Sequence, residues 1–154
     1  MSFSRKAVLA LTGIAALAMP LAVAGSASAA TDARCTVTPL KPVFDHVNSS
    51  GEKVIKYETK VTCDAGRSIE ILDERRDHDA LSTDDFEGSN LFNLRFDSAG
   101  TVTKYVLAVL PDADGWGDDN EEMYHSVGFQ VTEDSGYVSQ WTNWEDSAIV
   151  TFHL

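Results

Sequence analysis

From Cys35 onward the chain repeats one local pattern, short runs in which apolar and polar side chains alternate with a period of two. That period marks strands with one buried face. Cys35 and Val37 share a face of a first strand that ends at Pro39, and Pro42 keeps the next segment from being a regular central strand. After a turn at Asn48, Ser49, Ser50 and Gly51, residues 52–63 put Ile55, Tyr57, Val61 and Cys63 on one face and Lys56, Glu58 and Lys60 on the other. A strand with Ile69 and Ile71 inward follows the turn at Asp64, Ala65 and Gly66. Residues 73–90 then break the alternation and read as a long connection of the kind that is either functional or loosely ordered. Thr83 is placed to cap a single helical turn holding Asp84, Asp85 and Phe86.

Alternation resumes with Phe92, Leu94 and Phe96 inward, and a turn at Ser98, Ala99 and Gly100 leads to a strand over residues 101–110. Its last six residues, Tyr105, Val106, Leu107, Ala108, Val109 and Leu110, are apolar without alternation, which predicts cover on both faces by a loop or a partner. Met123, Val127, Phe129 and Val131 line the next strand, followed by a turn over 133–136, a strand over 137–142 and a closing strand with Val150, Phe152 and Leu154 inward. About eight strands and no convincing helix predict an all-β fold, an antiparallel β-sandwich.

Residues 1–29 have a different character, with Arg5 and Lys6, an apolar run from Ala7 to Val23 and the small-residue exit Ala27, Ser28, Ala29. This is the pattern of a cleaved secretory signal, leaving residues 30–154 as a single β-sandwich domain that is secreted and extracellular. No second apolar stretch is long enough to span a membrane. In an exported chain the two cysteines, Cys35 and Cys63, are expected to form one intrachain disulfide. Since both point with the apolar sets of their strands, the bridge should lie in the core, a position that resembles the bridge of an immunoglobulin-like sandwich.

Charge narrows the partners. Residues 30–154 hold ten Lys and Arg against 24 Asp and Glu, a formal −14, which repels nucleic acid and anionic membranes. No Lys or Arg follows Lys104, whereas ten Asp and Glu do. Such asymmetry serves solubility, or steers a basic partner or a cation.

Six of those carboxylates fall within residues 111–122, read as PDADGWGDDNEE. Asp112, Asp114, Asp118 and Glu121 match positions three, five, nine and twelve of the calcium-loop template, with Gly115 at six, but Leu110 occupies position one, where the first carboxylate belongs. Residues 112–118 also resemble the DxDGxGD core of thrombospondin type 3 repeats, and that resemblance implies calcium as one use of the loop. A solvated turn and a partner-facing turn are the alternatives; without the ion, no cofactor is expected. Trp116, Asp119, Glu122 and Trp144 are candidate partner or ligand residues. Trp141 and Trp144 differ in strand parity, and Trp141 reads as the core member.

His125 shares its face with Met123, Val127 and Phe129 and reads as a hydrogen-bonded core histidine, while His78 belongs to a charged loop. No nucleophile elbow, zinc helix or phosphate loop is present, so no enzyme is expected. In layout, an export signal followed by a short acidic two-cysteine β chain is similar to the small adaptor subunits of secreted bacterial multi-protein toxin particles, the umbrella toxins. The expectation is a secreted, non-catalytic binding or adaptor module that engages an extracellular protein partner, as a subunit of a secreted complex, through acidic loops and an exposed strand edge. The alternative is a calcium-assisted carbohydrate-binding module.

Overall fold

A computed structural model describes residues 29–79, 83–111 and 120–153. Among them there is no helix, and ten strands follow one another: β1 (Ala30–Asp32), β2 (Cys35–Pro39), β3 (Val43–Val47), β4 (Lys53–Cys63), β5 (Arg67–Asp77), β6 (Asp85–Phe96), β7 (Gly100–Val109), β8 (Asn120–Glu133), β9 (Glu145–Asp146) and β10 (Val150–His153). They form two antiparallel five-stranded sheets packed as a sandwich. The expected signal segment, residues 1–28, and Leu154 lie outside the described residues, as do 80–82 and 112–119.

In the first sheet β4 is central. On one side β2 pairs its second half and β3 its first half, and on the other β7 pairs ten consecutive residues, Val54 to Cys63. The chain break that Pro42 imposes is what divides that first side between two short strands. In the second sheet β5 lies between β6 and β8, and the far side of β8 is covered in pieces by β10, β9 and a bridge from Thr132 to Val138. The strand expected over 137–142 is therefore an irregular run alongside β8, held by Ser139 and Thr142 donating backbone N–H to the carbonyls of Val131 and Phe129. An edge broken in this way is a poor template for another chain.

Cys35 and Cys63 form the disulfide and are directly opposed on neighbouring strands of one sheet, with Cα atoms 4.1 Å apart. An immunoglobulin bridge joins the two sheets; this one staples β2 to β4 within a sheet. Its sulfurs still face inward, into an apolar cluster with Val37, Val61, Ile69, Ile71, Val127, Phe129 and Val131. A second apolar cluster at the other end joins Ile55, Tyr57, Leu110 and Met123.

Three further expectations fail. Residues 73–90 are largely strand, because the inward positions that continue the parity of Ile69 and Ile71 are Asp73, Arg75 and Asp77, and polar inward residues hide the alternation. Thr83 caps no helix, and Asp85 and Phe86 belong to β6. Trp141 is not core: it is 43% exposed and Trp144 48%, since the irregular run past Val138 lies on the flank of β8.

Candidate functional site

Between the two apolar clusters runs a polar belt. On β4 it is Thr59, on β5 Asp73, on β8 His125, and all three are fully buried. The Asp73 carboxylate accepts from Thr59 Oγ1 at 2.8 Å and meets His125 Nδ1 at 3.0 Å. His125 Nε2 donates to the Leu40 carbonyl at 2.7 Å, since a carbonyl oxygen can only accept. Tyr57 stands edge-on to the imidazole with ring centroids 5.6 Å apart, and its hydroxyl is held well above the usual phenol range by burial, offset in part by the Arg75 guanidinium. Arg75 reaches Asn90 Oδ1 at 2.5 Å and lies over the Tyr57 ring.

Threonine, aspartate and histidine together invite comparison with a hydrolytic triad, but the geometry is wrong for one. The hydroxyl sits on the carboxylate rather than on the imidazole, and the imidazole nitrogen that would act as base is spent on a backbone carbonyl. This cluster ties β4, β5 and β8 to the segment at Leu40 and sets their relative heights. The expected hydrogen-bonded core histidine is thus present with both partners identified.

At the tip of β5, His78 Nδ1 lies 3.1 Å from Asp84 Oδ1, and Tyr124 donates its hydroxyl to the other Asp84 oxygen at 2.5 Å. That hydrogen bond is the main reason the Asp84 carboxyl is held below its usual range. Nearby, burial pushes the Glu87 carboxyl up, helped by Asp77 and Asp85.

Of the loop residues, Asp112, Asp114, Trp116, Asp118 and Asp119 lie outside the described residues. Strand β8 already begins at Asn120, so Glu121 and Glu122 belong to a strand rather than to a loop. Glu121 is 1% exposed and paired in register with Phe152, whereas Glu122 is half-buried and paired with Thr151. Among the described residues no group of three or more His, Cys, Asp and Glu is arranged to hold a metal. Trp144 rests on Gly128, its Cε3 placed 3.6 Å from where a Cβ would stand, and Trp141 walls a polar groove with Thr31, Asp32, Gln140 and Asn143.

The strand that behaves least like the rest is β7. Register places Val102, Lys104, Val106 and Ala108 on the inner face, opposite Val61, Thr59, Tyr57 and Ile55. The outer face carries Tyr105, Leu107 and Val109, which are 59%, 44% and 45% exposed. The cover expected on both faces is missing on this one among the described residues. Leu110 donates its N–H to the Lys53 carbonyl, so in the ladder the even-numbered residues of β7 bond to β4 and the odd-numbered ones point their N–H and C=O away from it. No described strand pairs with that second set at Thr101, Thr103, Tyr105, Leu107 and Val109.

Charge divides between the sheets. The strands of the first carry four lysines against three carboxylates, and those of the second four arginines against eleven. The β7 edge therefore belongs to the sheet that does not share the acidity of the chain, whereas the other long edge, β6, with Phe86 and Leu91 exposed, lies in the acidic one.

No family model and no curated protein matches the chain. Among solved structures, the X-ray structure of Northeast Structural Genomics Consortium target SoR45 is similar over 80% of this chain and 87% of that one, with 15% identity and a TM-score of 0.37. A likeness at that level carries no argument about fold or function.

Proposed function

We propose that the protein is a secreted, non-catalytic binding module that engages an extracellular protein partner, as a subunit of a secreted complex, by accepting an extended segment of that partner as a new strand beside β7. The observation that carries this reading is the edge of β7: ten residues long, straight in register with β4, with five outward-facing residues whose backbone groups no described strand takes up and an apolar outer face at Tyr105, Leu107 and Val109. Strand addition uses both features, main-chain hydrogen bonds for affinity and alternate side chains for specificity. The β8 side of the second sheet is broken into short pieces, and that sheet's other edge, β6, belongs to the acidic sheet.

The acidic second sheet then serves a separate purpose. With eleven carboxylates it keeps the module soluble and orients it in the field of a partner. The test is capture of partners from the organism's own culture medium by the wild type and by Tyr105→Pro, followed by identification by mass. Residue 105 points its N–H away from β4, so proline there removes an edge donor and leaves the β4–β7 ladder whole. A partner held by the wild type and lost by Tyr105→Pro is the expected result. A partner retained equally by both places the binding surface elsewhere.

A further inference from the structure

Among the residues of β7, Lys104 is out of place. It sits near the middle of the strand, on the inner face, in register with the fully buried Thr59 and between Val102 and Val106. It is half-buried, and no described carboxylate pairs with it. A lone inward-facing charge on an edge strand works against strand addition, because an incoming strand closes over the charge and strips its water. On an edge otherwise built for pairing, such a charge acts as a filter on what may pair.

We infer that Lys104 selects the partner: the strand that β7 accepts carries an aspartate or glutamate directly opposite Lys104, flanked by apolar residues that meet Val102 and Val106. This rests on the β7 reading above and names the chemistry of its partner. The backbone geometry sharpens it. Because the odd-numbered residues of β7 supply the edge hydrogen bonds, an incoming antiparallel strand pairs with Lys104 in a non-hydrogen-bonded position, where opposed side chains approach closest. A carboxylate there meets the ammonium head-on, while any apolar residue there buries the charge unpaired.

The same geometry disfavours a second copy of this chain. In two-fold antiparallel pairing of β7 with itself, the residue opposite Lys104 is another even-numbered one: Lys104 itself, or one of Gly100, Val102, Val106 and Ala108. None of these is acidic. The edge thus rejects its own kind and the plain apolar strands that cause aggregation, and accepts an acidic–apolar segment.

The probes are two short fluorescein-labelled peptides of alternating Thr and Val, one with a single central Glu on the Val-bearing face and one with Lys in its place, read by fluorescence anisotropy against the mature protein. The wild type should bind the Glu peptide about tenfold more tightly than the Lys peptide, since opposed unlike charges gain and like charges lose across a strand pair. Lys104→Glu should reverse the preference, Lys104→Gln should erase it, and Tyr105→Pro should abolish binding of both. Thermal melts of each variant confirm that it is folded. Equal binding of both peptides by the wild type, with both lost in Tyr105→Pro, overturns the selection by Lys104 and leaves the edge reading intact. Failure of the wild type to bind either peptide, or unchanged binding by Tyr105→Pro, overturns both.

Discussion

Removing the Asp73 carboxylate should be among the most damaging single changes available in this chain. Asp73→Ala deletes the carboxylate that accepts from Thr59 Oγ1 at 2.8 Å and meets His125 Nδ1 at 3.0 Å, in a site where all three residues are fully buried. Each orphaned buried donor costs about 1–3 kcal/mol. Breaking one side of a buried acid–imidazole pair costs about 3–5 kcal/mol. The expected loss is therefore about 3–5 kcal/mol, out of the roughly 5–15 kcal/mol that a domain of this size possesses. Equilibrium urea unfolding followed by tryptophan fluorescence measures it. Thr59→Val completes a double-mutant cycle: once Asp73 is gone, removing the threonine hydroxyl relieves an orphan instead of making one, so the two changes should couple by about 1–2 kcal/mol. A cost below about 1 kcal/mol for Asp73→Ala, or a cycle additive to within about 0.3 kcal/mol, would refute the belt as the tie between the sheets.

Three further outcomes are expected. Replacing Cys35 and Cys63 together by alanine opens a 28-residue cross-link and should lower stability by about 3–4 kcal/mol through the unfolded chain, with dithiothreitol producing a matching shift of the urea midpoint in the wild type alone. Glu87→Gln should stabilise the fold at neutral pH, because burial raises the Glu87 carboxyl above its ordinary 4.5 and the ionised form is the disfavoured one in the folded chain; the gain should vanish below that ordinary value, where both states are protonated, which unfolding at a series of pH values will show. Val106→Pro removes a ladder bond to β4 and should cost roughly 2–3 kcal/mol more than Tyr105→Pro, whose N–H points off the sheet, as read from paired melts.

Much of this fold was legible in the chain. Wherever the inward residues are apolar, as at Val37, Ile55, Ile69, Phe92 and Phe129, a period of two identifies the strand and its buried face. The disulfide was expected from the chain's two cysteines, and only its placement within one sheet had to be seen. What failed to show was the polar part of the interior. Asp73, Arg75 and Asp77 continue the parity of Ile69 and Ile71 without a break, yet a hydrophobicity pattern registers them as a loop. The available signal was parity itself, together with a histidine at position 125 on an apolar face that needed an acid and a carbonyl to satisfy it. Strand β7 misled in the other direction. Its unbroken apolar run implied burial of both faces, and the structure instead leaves Tyr105, Leu107 and Val109 in the open among the described residues, a mismatch that the proposed strand addition would resolve. Trp141 and Trp144 were split by a strand parity that an irregular segment does not obey.

Strand addition beside β7 requires that its outer edge be free in the isolated protein. Amide hydrogen exchange resolved by residue across this strand tests that directly, since alternate N–H groups face β4 and solvent. The expected pattern is alternating: slow exchange at Val102, Lys104, Val106 and Ala108, and fast exchange at Thr103, Tyr105, Leu107 and Val109. Uniform slow exchange through both sets would mean that the edge is already paired, and it would contradict the proposed mode of binding.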